Sequence, residues 1–385
     1  MLRRLLKSPG RMLVAAAIVA LAELTLFNLY QVANAIPAKL SESDFRIFYA
    51  VALIGPRWGF DRLYDPDLQQ QALQLVWAGT QWVPFINPPF VAWLLLPLTA
   101  LPFGAALAVW TVFSLAAVVA SSQLLSPPGV PNRAAYLLSA LGFLPVFVMV
   151  ESAPLSPLVL GSLAGAWWLL RRGHERGAGL ALVLILVKPN LALLVPFALL
   201  AAGYWRAFAV WAAASLVLAL ACAASLGGHG LDAYWSLGRA MWDSSRFLNF
   251  SLAPSHGPLW WPVVAMIAAA TVVAARVNRS QAPEVAIAVG VAGSLLVNHH
   301  LTPADFIVLL VPIWLLFRNP RQIPLTVILV LGWLAGWFSS TGLAWPVLTF
   351  EGVLLLYFLG ERTVSPKNRL SPSGSQGPAA PPAAA

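Results

Sequence analysis

Apolar runs of roughly 15–25 residues recur along this chain, and each is about the length a helix needs to cross the hydrocarbon core of a bilayer. They lie near 12–30, 104–125, 133–150, 155–170, 204–226, 258–276, 283–297, 301–317, 322–338 and 345–359, and Gly, Pro and short clusters of Arg separate them. In lipid the backbone must satisfy its own polar groups, so such runs predict helices. Composition agrees: of 385 residues, 59% are hydrophobic and 10% charged. A soluble domain carries about 25% charged residues, so lipid must solvate much of this surface and a water-soluble domain is excluded. The net charge of +9 does not indicate nucleic acid, because the basic residues sit in the short connections, as in cytoplasmic loops facing anionic headgroups. The single cysteine, Cys222, excludes an internal disulfide and a thiolate metal cluster. The basic start Met1–Lys7 followed by the run 12–30 predicts an uncleaved signal-anchor, since the run exceeds the roughly 7–15 residues of a cleaved signal. Ala33-Asn34-Ala35 nevertheless resembles a cleavage site.

Two segments do not read as simple spans. Pro88–Leu101 is apolar but short and holds Pro88, Pro89 and Pro97, which predicts a re-entrant or partly inserted helix. Gly179–Ala202 is interrupted by Lys188-Pro189-Asn190, which predicts two half-helices meeting at Lys188, since irregular backbone at membrane depth is tolerated only against protein or a wet cavity. The expected architecture is an all-α integral membrane protein, a polytopic helix bundle of about 12 membrane segments with a long first outer loop. The membrane domain is expected over 1–364, with a first outer loop at 31–87 and a second at 227–257. A Pro-, Ser-, Gly- and Ala-rich tail, expected to be disordered and cytoplasmic, covers 365–385. No internal repeat is evident, unlike in transporters built from inverted halves.

Charge orients the bundle. With Arg171-Arg172 cytoplasmic and the spans alternating, 16 of the 23 basic residues fall on the cytoplasmic side, and the other side holds seven basic and nine acidic residues. This obeys the positive-inside rule, places both termini in the cytoplasm, and requires that Pro88–Leu101 does not cross.

Residues able to carry chemistry then gather on the outer side. In the first loop Asp44 precedes Phe45, Phe48 and Tyr49 at helical spacing, so an interfacial helix would hold Asp44 at its start, as a cap or as a base. Asp65-Pro66 reads as a helix start. Asn87-Pro88-Pro89 reads as a rigid passage into the membrane, either a helix start or the wall of a site. Glu151 ends a span as an interfacial carboxylate or a substrate contact. Lys188, at membrane depth, needs an anionic lipid phosphate, an internal acid or a snorkelling path. Asn298-His299-His300-Leu301-Thr302-Pro303-Ala304-Asp305 closes another span. Adjacent histidines point about 100° apart on a helix and so rarely share one ion, whereas neutral imidazole suits hydrogen bonding to sugar hydroxyls. A P-loop, a nucleophile elbow and an EF-hand loop are all absent. A lipid or small-solute transporter, with Lys188, Glu23 and Glu351 as pathway charges, is the alternative to an enzyme; the long polar first loop favours the enzyme.

The order of these features, Asp44-Phe45 with Phe48-Tyr49, Leu63-Tyr64-Asp65, Asn87-Pro88-Pro89-Phe90 with Pro97, Lys188-Pro189, Trp205-Arg206, and Asn298-His299-His300 with Pro312, resembles glycosyltransferase family 87. That group includes polyprenol-phosphate-mannose-dependent mannosyltransferases of the GT-C membrane fold, and the resemblance covers roughly residues 10–360. It implies an inverting transferase of a bacterial plasma membrane that moves a hexose, most readily mannose, from a polyprenyl-phosphate-sugar to an outer-leaflet glycolipid or glycan. Asp44 would be the general base, Lys188 and His300 would hold the donor phosphate, and Tyr49, Asn87, Glu151, Asn190 and His299 would contact substrate. Its partners would be that donor, that acceptor and membrane lipids, without nucleic acid, cofactor or metal. Many relatives carry Gly-Gln-x-Asn where this chain has Val150-Glu151-Ser152-Ala153, a departure that bears on the acceptor.

Overall fold

The structure, a computed structural model, describes residues 19–31, 33, 43–242, 260–281, 283–298, 300–318 and 323–360. The expected tail at 365–385 and the later part of the expected second loop lie outside these residues. Among the described residues every regular element is a helix, α or 3-10.

Three helices are long and apolar enough to cross a membrane alone: Phe103–Leu125, Trp205–Met241 and Trp260–Val277. The 23 residues of the first span about 34 Å at 1.5 Å per residue. A fourth candidate is the pair Val130–Leu141 and Leu144–Ser152, bent by 57°, with Pro145 early in the second helix. The remaining apolar helices have 10–17 residues. The expected count of about 12 segments therefore rests on short, broken helices, whose shared packing replaces individual length. Pro88–Leu101 forms the helix Phe90–Leu95 and the 3-10 turn Leu96–Ala100, together too short to cross.

Glu284–Leu296 lies at the centre of the bundle, with every residue from Val285 to Leu296 buried. It packs on Leu194–Ala202 and on Trp260–Val277. At Gly290 an added Cβ would lie 2.7 Å from the Cα of Val195, so only glycine permits this approach of two backbones. Indole and hydroxyl groups lock a second seam. Tyr136 Oη donates to Trp314 O at 2.9 Å, while Trp314 Nε1 donates to Ser139 Oγ and Trp333 Nε1 to Ser139 O, both at 2.9 Å.

The first loop is a folded cap. Asp65 caps Pro66–Val76, accepting from the amides of Asp67 and Leu68. Gln69, 2% exposed, knots the cap: its amide donates to Leu63 O and Phe85 O and accepts from Phe85 N and Trp82 Nε1. All its polar capacity is thus spent, which makes its burial tolerable. Of the expected second outer loop at 227–257, the described part, 227–242, is helical. Trp205–Trp242 continues as helix beyond a kink at Gly227, where φ is 60° and ψ is −170°. Glycine takes that backbone without a Cβ clash, so the adjacent glycines bend the helix rather than end it.

Candidate active site

Pro189 pushes Lys188 out of the α region, and Lys188 accordingly has φ −149° and ψ 73° between the 3-10 turns Val183–Val187 and Pro189–Leu191. The groups freed by this break find partners from three directions. Asn87 Nδ2 donates to Val187 O at 3.1 Å, Leu194 N donates to Ser294 Oγ at 2.9 Å, and Asn190 Nδ2 donates to Asn298 Oδ1 at 3.1 Å and to His300 O at 3.0 Å. Asn298 Oδ1 also accepts from His300 N at 2.9 Å. Asn87 and Asn190 therefore tie the break to its neighbours, and the latter sets the path of the His300 backbone.

Lys188 Nζ stands 2.6 Å from Asp305 Oδ1 and 2.8 Å from Asp305 Oδ2. Asp305 is fully buried, whereas the Lys188 side chain keeps 14% of its surface open. Sequence reasoning did not single Asp305 out. The readable signal was Thr302-x-x-Asp305, a capping box: Asp305 Oδ2 accepts from Thr302 N at 2.9 Å and from Thr302 Oγ1 at 3.0 Å.

Asp44 opens the helix Asp44–Ala52, whose N-cap is Ser43, so it is not the capping residue. Phe45, Phe48 and Ala52 turn into the core and fix the helix over the bundle. Asp44 keeps part of its surface open, yet lies deep enough that loss of water pushes its carboxyl up to about 6. The Lys188 ammonium draws it back down, the Asp305 carboxylate pushes it up, and the Arg46 guanidinium draws it down. The Asp44 carboxyl thus feels the charges of both members of the Lys188–Asp305 pair. His300 feels them too. Loss of water and the Lys188 charge hold its imidazole below the usual histidine range, against the opposing pull of Asp305, so it is neutral at pH 7.

The remaining candidates divide. Glu151 ends the helix Leu144–Ser152, which packs on the Pro303–Leu309 turn that carries Asp305. Tyr49 is 8% exposed, its ring meets Phe103 edge-on at 5.6 Å, and its hydroxyl donates to Leu101 O at 2.7 Å, which satisfies the carbonyl that ends the 3-10 turn. His299 lies outside the described residues. Among the described residues no three His, Cys, Asp or Glu side chains are grouped to hold a metal ion.

An apolar groove adjoins the break. It encloses about 250 Å³ and is lined by Pro88, Phe90, Leu186, Pro189, Leu226 and Tyr234, among others. A hydrocarbon chain in this groove would run past the backbone of Lys188. A cation backed by a buried acid, a carboxyl with raised basicity and a neutral imidazole are groups suited to moving a proton and stabilising an anion.

The family model of glycosyltransferase family 87 matches residues 85–303, more than half of the chain. The chain belongs to this family and is a membrane glycosyltransferase. No curated protein and no solved structure matches it.

Proposed function

We propose that this family 87 glycosyltransferase moves a hexose, with mannose the first candidate, from a polyprenyl-phosphate-sugar to a hydroxyl of an outer-leaflet glycolipid or glycan, with inversion at the anomeric carbon. The carrying observation is the Lys188–Asp305 pair at the helix break, whose charges act on both Asp44 and His300, with an apolar groove lined by Leu186 and Pro189 of the same break. Asp44 takes the proton of the acceptor hydroxyl. The acceptor oxygen bonds to the anomeric carbon, and the bond from that carbon to the phosphate oxygen breaks. The electron pair leaves on the phosphate, where the Lys188 ammonium stabilises the added charge. Neutral His300 supplies an N–H to the phosphate or the sugar. Asn87 and Asn190 hold the walls, and Glu151 faces the acceptor. The polyprenyl chain lies in the groove, which supports a lipid-borne donor over a soluble nucleotide sugar.

Architecture and setting complete the proposal. The bundle over 1–364 has the GT-C fold, sits in a bacterial plasma membrane with both termini cytoplasmic, and opens its site to the outer face, while 365–385 forms a tail. Glu23 is exposed on the helix at 19–31 and Glu351 is sealed in the interior, so these charges do not line one passage with Lys188 as a transporter would need. The test is purified protein in liposomes given a radiolabelled polyprenyl-phosphate hexose and a glycolipid extract. Label should pass to the glycolipid; solute movement with the donor left intact would replace the enzyme reading by the transporter.

A further inference from the structure

We propose that Asp305 is a positioning residue for the transfer: by holding Lys188 from behind, it keeps that ammonium aimed at the donor phosphate and away from Asp44, which is thereby left free as a base. The inference rests on the transfer reading above and adds a residue to it.

The geometry is directional. Asp305 is sealed from solvent while Lys188 keeps part of its surface open at the mouth, so the acid lies behind the cation. An ammonium has three N–H groups; two face the carboxylate oxygens at 2.6 and 2.8 Å, which leaves the third for an incoming phosphate without loss of the pair. Asp305 is itself anchored. Thr302 donates to it twice, every residue from Ala304 to Leu309 is buried, and Ser156 Oγ donates to Ala304 O at 3.2 Å.

Asp44 is the other acid on which the Lys188 charge acts, and among the described residues it accepts no hydrogen bond and forms no ion pair. Were Lys188 released, it would pair with Asp44 and depress the basicity the reaction needs. Charge also balances: as the acceptor proton neutralises Asp44, one negative charge appears on the leaving phosphate beside Lys188, whose pairing with Asp305 is unchanged. The charged groups acting on Asp44 are Lys188, Asp305 and Arg46. Arg46 turns to Thr80 Oγ1. Of the elements packed on the Asp44 helix, Phe90–Leu95, Leu96–Ala100 and Phe103–Leu125 carry no charge, and Arg57 and Asp67, on Ile54–Trp58 and Pro66–Val76, are exposed.

The experiment compares wild type, Asp305→Asn, Asp305→Glu and Thr302→Val in the labelled-donor assay across pH. For Asp305→Asn the donor KM should rise about tenfold, the worth of one charge-assisted hydrogen bond. Its acid limb should move to lower pH, because a negative charge has gone and Lys188 is free to approach Asp44. Asp305→Glu should restore the limb, and Thr302→Val should raise the donor KM with the limb held. A folded Asp305→Asn protein with wild-type limb and donor KM overturns the proposal. If that variant does not fold, a wild-type donor KM in Thr302→Val overturns it instead. Absence of transfer by the wild type would sink the transfer reading itself, a separate result.

Discussion

Asp305 at the mouth and Glu351 in the helix Trp345–Gly360 are both sealed from solvent, yet their surroundings differ. Asp305 has a lysine and two donors from Thr302. Both oxygens of Glu351 lack a hydrogen-bond partner among the described residues. The helices packed on the helix that carries Glu351, at 260–277, 284–296 and 323–339, carry charge only at Arg276 and Glu284, near their ends. A buried charge is tolerable when it is paired and hydrogen-bonded and costly otherwise. The difference teaches that burial of an acid does not mark this site; complete compensation at a broken helix does.

Lys188→Met strikes the comparison hardest, since it leaves Asp305 a buried charge with the Thr302 donors but without its ion pair. Stability should fall by about 3–5 kcal/mol, seen as a lowered melting temperature in detergent, and transfer should be lost. Adding Asp305→Asn should recover much of the stability and none of the transfer; recovery of transfer would mean the pair is only structural. Asn190→Ala should act less. It removes the tie to Asn298 and His300 and should cost about 1–3 kcal/mol, with donor KM raised more than kcat is lowered. Glu351→Gln should act least, leaving transfer within about twofold of wild type. Loss of transfer in that variant, with folding intact, would bring Glu351 into the machinery and break the comparison.

What the sequence disclosed follows from the range of each interaction. The Lys188 break was legible because Pro189 acts on its immediate neighbour. The helix led by Asp44 was legible from the spacing of Phe45, Phe48 and Tyr49. The partner of Lys188 was not, because Asp305 lies 117 residues away, and the local Thr302–Asp305 pattern describes equally an ordinary helix start. The bond of Tyr49 to Leu101 O was not legible either, because periodicity locates a face but not a partner 52 residues away. The kink at Gly227 was not legible, since glycine serves a loop and a kink equally well. Apolar runs located helices, but several of these are too short to cross alone, and the packing around Glu284–Leu296 that gathers them is not a local property.

Transfer from the labelled donor, followed across pH in wild type and Asp44→Asn, tests the central claim most directly. The carboxylate is the active form of a general base, and it dominates above a carboxyl value of about 6. Wild-type activity should therefore rise through about pH 6 to a plateau, while folded Asp44→Asn should be about 10²–10⁴-fold slower and lack that limb. Full transfer by a folded Asp44→Asn protein, with the limb still in place, would contradict the account.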